Sequence, residues 1–146
     1  MRGTPPSLLE TQRMTRGVLI FLLCCSATVT ALAKDRLERI VFDFPHGHYR
    51  LHVEADGAAT LYYGALPRQQ VVRPGLFKIQ EVREALHPLL HPNVPRESWP
   101  DVEAEYGMVT YFFADGTKKD YLIFDAGDTV EPMFERARQN IVREDF

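Results

Sequence analysis

Cysteine is scarce in this 146-residue chain: Cys24 and Cys25 are the only two, adjacent and close to the N-terminus. Residues 34–146 therefore hold no disulfide, and the paired Cys-x-x-Cys spacings of zinc ribbons and thiol redox centres are missing. Serine is nearly as rare, since Ser98 is the only one after residue 33. It stands in Glu97-Ser-Trp-Pro100, without the Gly-x-Ser-x-Gly elbow that presents a nucleophile. Activation would also need a positioned base and an oxyanion hole, so a turn hydroxyl is its plainer role. Basic charge is thin as well: from residue 34 on, fourteen Lys and Arg stand against nineteen Asp and Glu, a net −5. A scattered basic minority does not neutralise a phosphate backbone, which argues against nucleic acid as a partner. Nor is there a polybasic patch for anionic lipid.

One long apolar run is present. Arg13 and Arg16 precede the apolar residues 17–25, and Ala31-Leu32-Ala33 ends the segment with a small-x-small site. A basic start, an apolar centre and a small-residue cleavage site make up a secretory signal peptide, with cleavage expected after Ala33. Ser26, Thr28 and Thr30 interrupt the run, which falls short of the ~17–25 apolar residues of a membrane span. Leu23 before Cys24, and Cys24 before Cys25, also disfavour lipoprotein processing, which needs a small residue there. Translation from Met14 would keep Arg16, the apolar run and the cleavage site. The expectation is a signal peptide over residues 1–33 and a single exported domain over 34–146, in the periplasm or extracellular space, without stable membrane insertion of the mature domain. A chain of that size supplies an ordinary core.

Periodicity sets out the fold. Residues 39–44 read as a strand, and Tyr49, Leu51 and Val53 alternate with His48, Arg50, His52 and Glu54, the period of a strand with one solvated face. Asp56-Gly57 turns this strand into 60–63, and Asp115-Gly116 repeats the device between 107–113 and 119–124. Residues 64–75, with Pro67 and Pro74, read as a loop. Ile79, Val82, Leu86 and Leu89 or Leu90 give a helix that Pro88 ends or kinks, and residues 91–100 read as a connector. Asp128 and Glu131 suggest a capping box for a last helix, with Pro132 in its first turn and a stripe of Val130, Phe134, Ala137 and Ile141. The order β-β-β-α-β-β-α implies an α+β domain: a mostly antiparallel sheet with two helices on one face.

In strand order this resembles a bacterial family, domain of unknown function 6438. The residues that carry the likeness are a first strand ending at Phe44, a Tyr49-led strand, the Asp56-Gly57 turn, Tyr62-Tyr63-Gly64, a helix with Val82 and Leu86, and the tail from Pro132 to Ile141. It would span roughly residues 38–142. Proteins similar to that family often carry a Cys-x-x-x-Cys-Pro-x-Tyr-like stretch where this chain has Phe44-Pro-His-Gly-His-Tyr49. The resemblance implies no activity.

Candidate chemistry is sparse. His46 and His48 are of the type that binds zinc or copper, and His52 lies nearby. Four residues of strand span roughly 13 Å, so His48 and His52 do not share one ion, and surface histidines are the simpler reading. Asp101, Glu103 and Glu105 alternate like an acidic strand edge, though two facing carboxylates would suit glycosidic hydrolysis. Trp99, Tyr62, Tyr63, Tyr111 and Tyr121 could form an aromatic binding surface, with Trp99, Tyr62 and Tyr63 the leading candidates, against the commoner fate of aromatic strand residues as core. Lys118-Lys119 reads as turn solubility. No cofactor fingerprint and no catalytic residue is identified. The leading expectation is an exported cell-envelope protein that binds or inhibits a protein partner noncovalently. The alternatives are a hydrolase of envelope polymers acting through acids, and a metal or small-ligand binding protein.

Overall fold

The computed structural model describes residues 35–45, 48–64, 68–99 and 105–145. The segment read as a signal peptide, His46, Asp101 and Glu103 lie outside the described residues. Strands β1 (Leu37–Phe44), β2 (Tyr49–Glu54), β3 (Ala59–Tyr63) and β4 (Arg68–Val72) run as a meander, followed by α1 (Ile79–Leu86). A two-residue strand, β5 (His91–Pro92), precedes the hairpin β6 (Tyr106–Phe113) and β7 (Lys118–Phe124), then α2 (Gly127–Arg138) and β8 (Ile141–Asp145). The described strands form one sheet in the order β5-β7-β6-β1-β2-β3-β4-β8, each neighbouring pair antiparallel. The α+β class, the antiparallel sheet and the two helices on one face are those the sequence predicts.

The two Asp-Gly turns have the same geometry. Each is a three-residue loop, Ala55-Asp56-Gly57 or Ala114-Asp115-Gly116, in which glycine takes a positive φ of 88° or 82°. Glycine does so without a Cβ clash. The Gly57 and Gly116 amides donate to Glu54 and Phe113 carbonyls at 3.1 and 2.9 Å. Asp56 and Asp115 Oδ1 each accept an amide two residues on at 2.9 Å, which fixes the turn before the strands pair.

Alternation then sorts the side chains. Phe42 lies opposite Leu51 and Val109, and these continue to Leu61 and Tyr121 on one face. That face carries the helices: Ile79, Val82 and Leu86 of α1 and Val130, Phe134 and Ala137 of α2 are buried against it, and the Phe42 and Phe134 rings lie 5.2 Å apart. Gly107 belongs to the same face, and a Cβ there would come within 2.8 Å of the Phe44 ring and 3.0 Å of the Asp43 carbonyl.

Four local expectations are corrected. Part of the loop read over 64–75 is β4, a strand whose alternation Gln69 and Gln70 mask; Pro67 lies outside the described residues. Part of the connector read over 91–100 is β5, whose His91 and Pro92 pair with Leu122 and Tyr121. Ile141 leaves the helical stripe because the chain turns at Asn140, whose carbonyl accepts Arg73 N–H at 2.9 Å, and Ile141 then pairs with Val72. The capping box does not form: α2 starts at Gly127, its N-cap is Ala126 without a side-chain cap, and Thr129 and Val130 N–H donate to the Ala126 carbonyl at 3.0 and 2.9 Å. The earlier start moves Pro132 into the second turn, where it withholds a donor from the Asp128 carbonyl.

Width decides where the helices leave gaps. Eight strands about 4.8 Å apart span roughly 34 Å, whereas two helices about 10 Å across cover roughly 20 Å. α1 lies over β1 and α2 over β3. The strip beyond α1, toward β7 and β5, is therefore left uncovered by helix.

Candidate functional site

That strip is a cleft of about 530 Å³. Its floor comes from alternate residues of the hairpin: Tyr111 and Phe113 on β6, Lys119 and Tyr121 on β7. Register explains why they gather, since Tyr111 lies opposite Lys119 and Val109 opposite Tyr121, all on the helix-bearing face. Arg83 and His87 close the α1 side, Leu90 and Pro92 the far wall, and Asp35 contributes the single acid of the lining. Arg83 reaches the cleft because it follows the buried Val82 on α1 and sits at the margin of the apolar stripe.

Tyr111 is the unusual member. It is 3 % exposed, and its hydroxyl, with less than 1 Å² open to water, has no hydrogen-bond partner among the described residues. Leaving such a group unsatisfied costs about 1–3 kcal/mol. Burial pushes its pKa up to about 12, an effect the nearby Arg83 charge opposes and Tyr121 reinforces. The Tyr111 and Tyr121 rings pack at 5.3 Å, inclined at 59°. Lys119 Nζ lies 5.6 Å from the centre of the Phe113 ring. Among the described residues neither Arg83 nor Lys119 forms an ion pair, whereas Lys118, one residue away on the opposite face, reaches Asp120 at 3.8 Å.

The residues singled out from the sequence are dispersed. Trp99 packs on the helix-free face, 4.6 Å from Tyr106 and 5.2 Å from Phe124, and its Nε1 donates to the Val94 carbonyl at 3.2 Å. These contacts tie the connector down onto the sheet. Tyr62 shares that face but sits on β3, with β1 and β2 between it and the β6–β7 hairpin, and packs 4.9 Å from His52. Tyr63 points to the other face, where it stacks on Tyr49 at 4.8 Å and Tyr49 stacks on Phe134 at the same distance. Trp99, Tyr62 and Tyr63 therefore do not share one surface. His48 is exposed at a tight turn with φ of 53°, and no three His, Cys, Asp or Glu side chains gather as metal ligands among the described residues. His52 is half-buried, and desolvation first, then Arg39 and Arg50, lowers its pKa. Ser98 ends an exposed 3-10 turn, Arg96–Ser98.

Sequence reading passed over Arg83, took Lys119 for turn solubility, and named Tyr111 only as one of several aromatic residues. A signal existed for Lys119: in β7 it shares parity with Tyr121 and Ile123, so a charge falls on the core-facing side. Tyr111 had a weaker one, as a core tyrosine whose hydroxyl needs a partner. No protein family, curated protein or solved structure matches the chain.

Proposed function

We propose that this is an exported protein that works by noncovalent recognition, with the cleft between α1 and the β5–β7–β6 end of the sheet as its binding site. The observation that supports this reading is the conjunction, in one concave site, of two cations without ion pairs and a buried hydroxyl without a partner among the described residues. Binding sites keep polar groups poised for a ligand in this way, at a cost to the stability of the unliganded fold. The volume falls within the ~300–1,000 Å³ range of small-molecule sites, which favours a small ligand over the protein partner expected from the dispersed aromatic residues. Export rests on the residues before Lys34, and the likeness to domain of unknown function 6438 rests on strand order.

A fragment library screened by ¹H–¹⁵N NMR tests the location. Hits are expected to perturb Arg83, Tyr111, Lys119 and Tyr121 together, and Tyr121→Ala should remove them. Hits that cluster elsewhere on the domain, indifferent to Tyr121→Ala, would overturn the assignment. Export has a separate check: the protein recovered outside the cytoplasm should begin at Lys34.

A further inference from the structure

We infer that the cleft takes a small organic acid, with a carboxylate held by Arg83 and Lys119 and an apolar body lying along Leu90, Pro92 and Tyr121. This rests on the cleft being the binding site. The argument is one of complementarity. Arginine and lysine only donate hydrogen bonds, and the Tyr111 hydroxyl has a proton to give. Three of the polar groups at the cleft are thus donors lacking an acceptor among the described residues. An acceptor-rich anion is what the site lacks.

The remaining lining narrows the class further. A guanidinium pairs with a carboxylate through two parallel N–H···O bonds. Leu90, Pro92, Phe113 and Tyr121 are apolar or aromatic, so a headgroup alone would leave much of the site uncovered. Asp35 adds one negative charge to the lining, leaving the balance with Arg83 and Lys119. Arg83 is half-buried, and its charge acts on the Tyr111 phenol. A carboxylate drawn to Arg83 would therefore lie toward the Tyr111 hydroxyl, a third donor.

Such a group occurs on free acids and at protein C-termini, and the test separates the two. The probes are 4-phenylbutyrate, its neutral amide, inorganic phosphate, and a pentapeptide ending in phenylalanine with either a free or an amidated C-terminus. Titration of the purified protein, followed by NMR, is expected to give saturable shifts at Arg83, Tyr111 and Lys119 with 4-phenylbutyrate. The amide should bind about tenfold more weakly, as loss of charge-assisted hydrogen bonds implies. Arg83→Gln and Lys119→Gln should each cause a comparable loss, and Tyr111→Phe a smaller one with the fold intact. Weaker binding of the peptide acid than of 4-phenylbutyrate supports a free small acid. Tighter binding of the peptide, abolished by amidation, would replace it with a protein terminus. Amide binding equal to that of the acid, or phosphate binding as tightly as 4-phenylbutyrate, overturns the ligand class while leaving the cleft as the site. No saturable shift in the cleft with any probe overturns the carboxylate proposal, and the fragment screen then decides separately whether the cleft binds anything.

Discussion

Two clefts of nearly equal size flank the helices, and they differ in how their polar groups are satisfied. One, of about 520 Å³, is lined by Tyr49 and the α2 residues Asp128, Glu131 and Glu135; the other, of about 530 Å³, holds Arg83, Lys119 and Tyr111. In the acidic cleft, Glu135 accepts from Arg138 at 2.9 Å and Gln139 at 2.7 Å, and the Tyr49 ring is stacked between Tyr63 and Phe134, 4.8 Å from each. Asp128 lies in the first turn of α2, where negative charge suits the helix dipole. These groups are explained by the fold that carries them. In the basic cleft, among the described residues, the cations lack ion pairs and the buried hydroxyl has no partner. Volume does not distinguish the two clefts; unmet hydrogen-bonding capacity does.

The largest expected difference is in stability. Phe134 lines the acidic cleft and is also core, 2 % exposed and packed on Phe42 and Tyr49. Phe134→Ala should lower the urea-unfolding free energy by about 3–5 kcal/mol. Tyr121, only half-buried in the basic cleft, should tolerate alanine at roughly half that cost or less. Equal losses would mean that the basic cleft is structural too.

Gly107→Ala, in neither cleft, should cost about 1–3 kcal/mol, because the added methyl meets the Phe44 ring and the Asp43 carbonyl. It serves as a control that lowers stability without altering the chemistry of either cleft. If it weakened ligand binding as much as Arg83→Gln does, the Arg83 effect would reflect destabilisation.

The paired tyrosines sharpen the contrast. Tyr111→Phe removes an unsatisfied hydroxyl and should leave stability unchanged or raise it by about 1 kcal/mol, whereas Tyr49→Leu loses the ring stacking on Tyr63 and Phe134 and should lower it by about 1 kcal/mol. Equilibrium urea denaturation reads both, and a loss for Tyr111→Phe would show that its hydroxyl is already satisfied.

Alkaline pH tests the same hydroxyl. The Tyr111 pKa is raised from 10.0 to about 12 in the folded chain, so between those values the unfolded chain has released a proton that the folded one keeps. Its contribution to stability is complete below pH 10 and is lost as pH rises through about 12. Thermal midpoints should therefore fall more steeply across that window for the native sequence than for Tyr111→Phe.

The smallest effect belongs to the acidic cleft. Hydrogen bonds from Arg138 and Gln139 lower the Glu135 pKa below 4.5. Its contribution is present above that value and fades as pH falls through the lowered one. Glu135→Gln should slightly flatten the acid limb of the thermal-midpoint profile, and an unchanged limb would place these contacts among ion pairs too exposed to register.

What the chain dictates by itself is local and periodic. Alternation in β2 and β7, the two Ala-Asp-Gly turns and the Val82–Leu86 spacing each act over a few residues, so the α+β class and both hairpins were legible before any tertiary contact. β4 and β8 were not, because each becomes a strand by pairing: Gln69 and Gln70 blur the pattern of one, and Ile141 fits a helical stripe until Asn140 turns the chain onto Val72. The basic cleft was still less legible. Arg83 lies 28 residues before Tyr111 and Tyr111 eight before Lys119, and each has an unremarkable local role: a helix margin, a core ring, a turn lysine. Only the register of β6 on β7, and a sheet too wide for two helices to cover, bring their donors to one place without an acceptor.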